Sequence, residues 1–281
     1  MKQAMKSWTY QGQPTTLQEA VREELGVSNR AAKARIDARD VFVNGKRVWM
    51  ARHAVGSGDR LQVLQREAGA GGGGEVEIPV VYEDKWLVAV NKPPGCLSDG
   101  AADSAEARLR RSLGLPTLRA LHRLDRDTSG VLLLNRREAE REPYVEMFRE
   151  KSVEKTYLAL VRGVPAQGRF LITERLDGKE AVTQVRVRSS KGDYALLSCK
   201  IPTGRTHQIR RHLLMRDLLL VGDRTYGTRG VAPPAEREIL RQMLHAWRVD
   251  FPCPHSGRPV ACEAPLPEDF AQALRRFQLR A

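Results

Sequence analysis

Apolar side chains fall at helical spacing near the start of the chain and at strand spacing through most of the rest. Leu17, Val21 and Leu25 recur at every fourth position, one stripe of a short helix, with Thr15 or Thr16 before it as a cap and Gly26 after it as a stop. Ala32 and Ile36 share one side of a second helix, opened by Ser28 or Asn29 and running to about Ala38. Two apolar-rich runs at 41–43 and 46–48 flank Asn44-Gly45, a dipeptide that favours a two-residue hairpin because both residues tolerate positive φ. A Gly-Ser-Gly-Asp turn at 56–59 leads into the alternating strand Leu61-Gln62-Val63. Beyond Trp86 the strand pattern dominates. Residues 86–90 form a buried strand that stops at Lys92-Pro93, residues 131–134, 157–161 and 195–199 are further apolar runs, and 182–187 alternate. Residues 138–150 have helical composition, with Pro143 placed to kink or begin the helix, and 207–216 read as a helix capped by Thr206. Strands outnumber helices, which predicts an α+β fold built on a mainly antiparallel sheet, with a small α/β module ahead of it.

The glycine run at 69–74 separates the two patterns, since consecutive glycines hold no element together. It predicts a first domain over 1–68, a linker over 69–74 and a second domain over 75–281. The first is too small for an enzyme with a substantial core, and suits a recognition module. Charge strengthens that reading. Lys and Arg number 47 against 34 Asp and Glu in 281 residues, a net +13, of which +5 lies in residues 1–74 and +8 in the remainder. Such an excess calls for a polyanionic partner, nucleic acid foremost. With 41% hydrophobic and 29% charged residues, the composition excludes a disordered or collagenous chain. Four cysteines without a C-x-x-C pair are too few for a disulfide scaffold and imply reduced thiols. The first residues lack an apolar signal core, and no run approaches a membrane span, so a cytoplasmic protein without a membrane partner is expected.

Several familiar chemistries are missing from the sequence. There is no phosphate-cradling GxxxxGK[ST], no HExxH and no GxSxG, and Cys253, His255 and Cys262 lack the paired spacing of a zinc site. Three stretches remain. HRLDRDTSG at 122–130 presents two acids and two arginines at the entrance of an apolar strand, where an acid either closes a turn or does chemistry. IPTGRTHQIRRHL at 201–213 feeds a helix start with Arg205, Thr206, His207, Gln208 and Arg210, which by itself is an anion patch. KTYLALVRG at 155–163 opens a strand with Tyr157, which by itself is a core aromatic.

These stretches occur in order with NKPPG at 91–95, GKEAVTQVRV at 178–187 and VGDRTYG at 221–227. Together, over about residues 78–275, they resemble the RluA-type family of RNA pseudouridine synthases. Residues 15–64, with SNRAAKARIDARDVFVNGKRV at their centre, resemble the S-four-like RNA-binding domain. The resemblance implies isomerisation of uridine to pseudouridine in structured RNA, most simply large-subunit ribosomal RNA, by a monomer that needs no metal or organic cofactor. Transfer RNA as target, or a non-catalytic ribosome-assembly factor, are the alternatives. By the same resemblance Asp125 is the essential carboxylate and Arg210 pairs with it. Tyr157 lies on the uracil face and assists the late proton removal at carbon 5, and Arg123 fills the space of a flipped nucleotide. Arg205 and His207 shape the pocket or hold the RNA backbone. In the small domain Arg30, Lys33, Arg35, Lys46 and Arg47 contact phosphates. Two features depart from the family pattern. The loop after NKPPG reads Cys96-Leu97-Ser98-Asp99-Gly100, which leaves its RNA contacts open, and Pro143 interrupts a segment that is usually a plain helix.

Overall fold

The four-residue apolar spacing produces the first helix where it falls. In the computed structural model, which describes residues 5–37, 40–48, 50–64, 77–227 and 233–280, α1 spans Leu17–Leu25 and buries Leu17, Ala20 and Val21. Thr16 caps it and Glu19 reaches back to the Thr16 N–H, a capping box, while Gly26 ends it at φ 60. The second helix, α2, spans Asn29–Asp37, and the Ser28 hydroxyl accepts the Ala31 N–H at 3.2 Å. The hairpin forms at Asn44-Gly45, with φ of 51 and 76 at the two residues. Its strand Val41–Val43 pairs with Arg60–Leu64, which in turn pairs with a strand at Met5–Thr9. That N-terminal strand is absent from the sequence reading. Its apolar signal is weak, and its partner lies some fifty residues away. Leu17, Val21, Ile36, Val41, Leu61 and Val63 close a single small core.

The chain divides into two units, Met1–Glu77 and Ile78–Ala281. The proposed glycine linker at 69–74 lies outside the described residues. Among the described residues the second unit is built on an eleven-stranded sheet. Its main path runs Arg169–Ile172, Thr183–Lys191, Tyr194–Lys200, Glu154–Arg162, Leu244–Pro252, Ser129–Asn135, Leu87–Lys92, Val80–Glu83. The five strands expected there are all present, with ends shifted by one to four residues. Pairing is antiparallel except at one seam, where Ser129–Asn135 meets Leu244–Pro252 in parallel through Ser129 with His245 and Gly130 with Ala246. Tyr157 pairs with the same Ala246 from the other side. The seam is tight. Gly130 has φ +113, and a Cβ there would lie 2.2 Å from the Ala246 carbonyl oxygen, so only glycine fits.

Helices cover both faces of the sheet. A 3-10 turn at Glu138–Glu140 leads into α4, Arg141–Arg149, so Pro143 sits in the first turn, where its missing N–H has no partner to lose. Tyr144 and Met147 of α4 pack on Leu87, Val131 and Leu133, while Phe270 and Leu274 of α6, Glu268–Arg276, pack on Leu158, Leu160 and Leu196. α3, Ala105–Leu113, and α5, Gln208–Leu214, contribute Leu109, Ile209 and Leu213 to the largest core. The cap of α5 corrects the sequence expectation. His207, not Thr206, precedes the helix, at φ 52 in the left-handed region. All four cysteines are free and buried, and no helix among the described residues is long and apolar enough to cross a membrane.

Two desolvated imidazoles, one buried and one half-buried, make the fold acid-sensitive. His245 is fully buried at the seam. Its Nε2 lies 3.1 Å from the Ala264 carbonyl, which can only accept, so Nε2 carries the proton and Nδ1 accepts the Ser129 hydroxyl at 3.0 Å. Burial pulls His245 down to about 4 and His122 down to about 3. The unfolded chain takes up these protons near pH 6.5, the folded one only well below it. Stability from both groups is therefore complete above pH 6.5 and is lost as pH falls toward 4. At about 1.4 kcal/mol per pH unit per group, each histidine removes about 2 kcal/mol between pH 6.5 and 5. Urea unfolding at pH 7 and pH 5 measures this, and equal midpoints would contradict neutral burial.

Candidate active site

HRLDRDTSG becomes a braced loop. The segment leaves the seam at Gly130 and turns back through a Thr128 N–H to Asp125 carbonyl bond of 3.0 Å. Lys92, fully buried, donates to the carbonyls of Pro93 at 2.9 Å, Cys96 at 2.7 Å and Arg126 at 3.1 Å. Burial lowers its pKa to about 8, which leaves it an ammonium at neutral pH with all three protons in use. Ser98 accepts the Leu124 N–H at 2.9 Å, Gln242 donates to the Thr128 hydroxyl at 3.0 Å, and Arg241 reaches the Asp127 carbonyl at 3.1 Å. The loop at 96–100 that departs from the family pattern thus braces the acid-bearing loop.

Asp125 is half-buried at the rim of a cavity of about 640 Å³ that Arg123, Tyr157, Arg205, His207 and Arg210 also line. Arg210, buried on the first turn of α5, donates Nη1 to Asp125 Oδ2 at 3.0 Å. Its other edge is held by Asp223, which accepts Nε at 2.6 Å and Nη2 at 2.9 Å. Asp223 is itself buried and also accepts the N–H groups of Thr225 and Tyr226 at 2.9 and 3.1 Å. Burial disfavours the charge on Arg210, but the Asp223 hydrogen bonds and the two carboxylates outweigh it and raise its pKa. The guanidinium is therefore a fixed cation with one edge presented to Asp125. The Tyr226 ring lies 5.0 Å from the guanidinium carbon.

The remaining residues sort by distance. His207 Nε2 is 3.9 Å from Asp125 Oδ1, too long for a hydrogen bond, and Nδ1 is 3.1 Å from the Tyr226 hydroxyl. Burial lowers the His207 pKa against the pull of Asp125, so the imidazole is neutral at pH 7. Tyr157 is 7% exposed. Burial and then the Asp125 charge push its phenol well above the ordinary range. A phenol held neutral offers a stacking face and is a poor base. Arg123 has a side chain 75% exposed and lies 3.3 Å from Asp99. Arg205 donates to the Glu180 carbonyl at 2.9 Å. In the first unit Lys33 is exposed and Arg35 half-buried, and the side chains of Arg30, Lys46 and Arg47 lie outside the described residues.

Thus Asp125, Tyr157, Arg210, Arg123, Arg205 and His207 converge on one cavity from three distant stretches. Asp223, Asp99 and Lys92 were not singled out from sequence. The signal for Asp223 was its place in VGDRTYG. There Gly222, at φ +73 with the Arg241 carbonyl 2.0 Å from where a Cβ would stand, turns the acid inward.

Residues 86–215 match the family model for RNA pseudouridylate synthase. The chain is 32% identical over 239 residues to a ribosomal large subunit pseudouridine synthase D of Xanthomonas campestris, covering 74% of this chain and 72% of that protein. The chain belongs to the RNA pseudouridine synthase family. An RNA pseudouridine synthase of Bacillus subtilis is 31% identical over 265 residues, covering 85% of this chain and 86% of its own. The solved structure of human RNA pseudouridylate synthase domain containing 4 superposes with a TM-score of 0.60 at 25% identity, covering 72% of this chain and 94% of that one. This pseudouridine synthase is an enzyme of RNA modification, and its mainly antiparallel sheet is the family's fold.

Proposed function

We propose that this synthase isomerises uridine to pseudouridine in large-subunit ribosomal RNA, with Asp125 as the essential carboxylate acting on a nucleotide flipped into the cavity. One observation carries the reading: a half-buried carboxylate, anchored through Oδ2 to a buried arginine, borders a nucleotide-sized cavity beside the face of Tyr157. Asp125 can attack the anomeric carbon, balance an oxocarbenium-like centre, or take a proton from the sugar. Arg210 holds its Oδ2 in place at the cavity and leaves Oδ1 to face the substrate. Tyr157 stacks on a base that must be held and still turn. Arg123 replaces the flipped nucleotide. Its surface pair with Asp99 is worth about 0–1 kcal/mol and does not hinder its release. The relatives named for the ribosomal large subunit support the target. The first unit is read as an S-four-like module that adds phosphate contacts through Arg30, Lys33, Arg35, Lys46 and Arg47. Unstacking costs a few kcal/mol, which such contacts can offset.

The test is chemical mapping of pseudouridine across all stable RNAs of cells with and without this protein. One or more sites in large-subunit RNA should disappear with it. Loss confined to transfer RNA would move the target, and no loss in any RNA would overturn the activity in the cell.

A further inference from the structure

Lys155 opens the KTYLALVRG stretch, and no role above uses it. It stands two residues before Tyr157 on the strand Glu154–Arg162, and both side chains line the cavity. Strand alternation puts them on one face about 7 Å apart, the scale of a single nucleotide. Its ammonium lies 5.7 Å from the Phe148 ring centre and 3.9 Å from where a Cβ on Gly204 would stand, so it points between α4 and the TGRTHQ loop. Burial lowers its pKa, and no carboxylate opposes that effect. The two acids lining the cavity are engaged elsewhere, Asp99 with Arg123 and Asp125 with Arg210. The neighbouring imidazole of His122 is neutral and supplies no charge of either sign. A partly buried cation without a counter-ion is unfavourable in the free protein, and a ligand that brings negative charge relieves it.

The same wall is cationic along its length. Arg141, Arg149, Lys151 and Arg205 also line the cavity. The Nε of Arg141 is buried and has no hydrogen-bond partner, while Arg149 is paired with Glu146. Asp125 also lines the cavity, and Asp223 lies buried behind it on the other edge of the same arginine. A nucleotide placed with its base on Tyr157 and its sugar at Asp125 must keep its phosphate away from these carboxylates. The cationic wall is where that charge is stabilised.

We propose that Lys155 is the phosphate-binding residue of this cavity, receiving a phosphodiester next to the target uridine; this rests on the reading of Asp125 as the catalytic carboxylate. The partner is the RNA strand itself, recognised by charge and not by base identity.

The test measures binding of unmodified large-subunit ribosomal RNA transcript and of bulk transfer RNA over a range of KCl concentrations, and uses whichever binds more tightly. The full-length protein carries Asp125→Asn so that no RNA is turned over. Adding Lys155→Met should weaken binding about ten-fold at low salt and reduce the slope of log affinity against log salt by about 0.7–0.9. Lys155→Arg should keep the slope. Thermal melting separates this from a packing role. Removing a partly buried cation that has no counter-ion should leave Tm unchanged or raise it, whereas loss of a structural contact lowers it. If Lys155→Met proves insoluble, Lys155→Gln serves for the same slope. With Asp125 restored, Lys155→Met should raise KM about ten-fold and change the single-turnover rate at saturating RNA less than about three-fold. An unchanged salt slope, or equal defects in the Met and Arg variants, overturns the proposal. Isomerisation by the Asp125→Asn protein at full rate overturns the reading of Asp125 instead, and leaves the binding comparison intact.

Discussion

Asp125→Asn is expected to lower the rate of uridine isomerisation by roughly 10⁴-fold or more while RNA binding and stability stay near those of the parent protein. The amide has the same shape and can still accept the Arg210 Nη1 bond that Asp125 Oδ2 accepts at 3.0 Å. Arg210 keeps both bonds to Asp223, so no buried charge is stranded. What disappears is the negative charge at the cavity wall, and each chemical route open to Asp125 needs that charge. The check is single-turnover pseudouridine formation on a transcript at saturating protein, with a thermal melt alongside. A rate within ten-fold of the parent would remove Asp125 from the centre of the mechanism.

Asp223→Ala should do the reverse, harming the fold first and the chemistry through it. The Asp223 side chain is wholly buried and satisfies four donors, two from Arg210 and two from the Thr225 and Tyr226 backbone. Its removal leaves a buried guanidinium half-paired, a change that costs about 3–5 kcal/mol, or roughly 10 °C in Tm for a unit of this size. The freed guanidinium turns toward its remaining partner, so activity falls even in the folded fraction. Asp223→Asn, which keeps an acceptor, should be intermediate. Calorimetry on the purified variants decides the matter. An unchanged Tm for Asp223→Ala would show that Arg210 is held by other means.

The contrast between these two acids shows what could be read from the chain alone. Asp125 stands out because its neighbours are themselves distinctive: HRLDRDTSG is an unusual string, and its order relative to TGRTHQIR points to a shared site. Asp223 sits in Gly-Asp-Arg-Thr, which reads as an ordinary turn, and its burial exists only once α5 packs behind it. Tyr157 and Arg210 were legible as motif members, yet the raised pKa of the tyrosine follows from its burial, which one strand cannot reveal. Apolar runs located the strands Leu87–Lys92, Ser129–Asn135, Glu154–Arg162 and Tyr194–Lys200, since full burial on both faces leaves continuous hydrophobic stretches, whereas Leu244–Pro252, with Arg248 and Asp250 along it, was not read as a strand. The strand Met5–Thr9, half-polar and paired with Arg60–Leu64, needed its partner to be seen. Thr206 was the better cap by propensity, but the left-handed turn at His207 points that imidazole at Asp125 and Tyr226.

The seam at Ser129-Gly130 and His245-Ala246 has a consequence for how this enzyme comes into being. The Ser129–His245 bond closes 116 positions of chain and the Asp125–Arg210 bond 85. Contacts of such long range form only after large loops close, and they form together. The acid, its arginine and the aromatic face therefore come into register only where the two halves of the sheet are joined. A nascent or partly opened chain can hold most of its helices and hairpins and still have no reaction centre at all, so catalysis reports the completed fold of this unit and no stage before it.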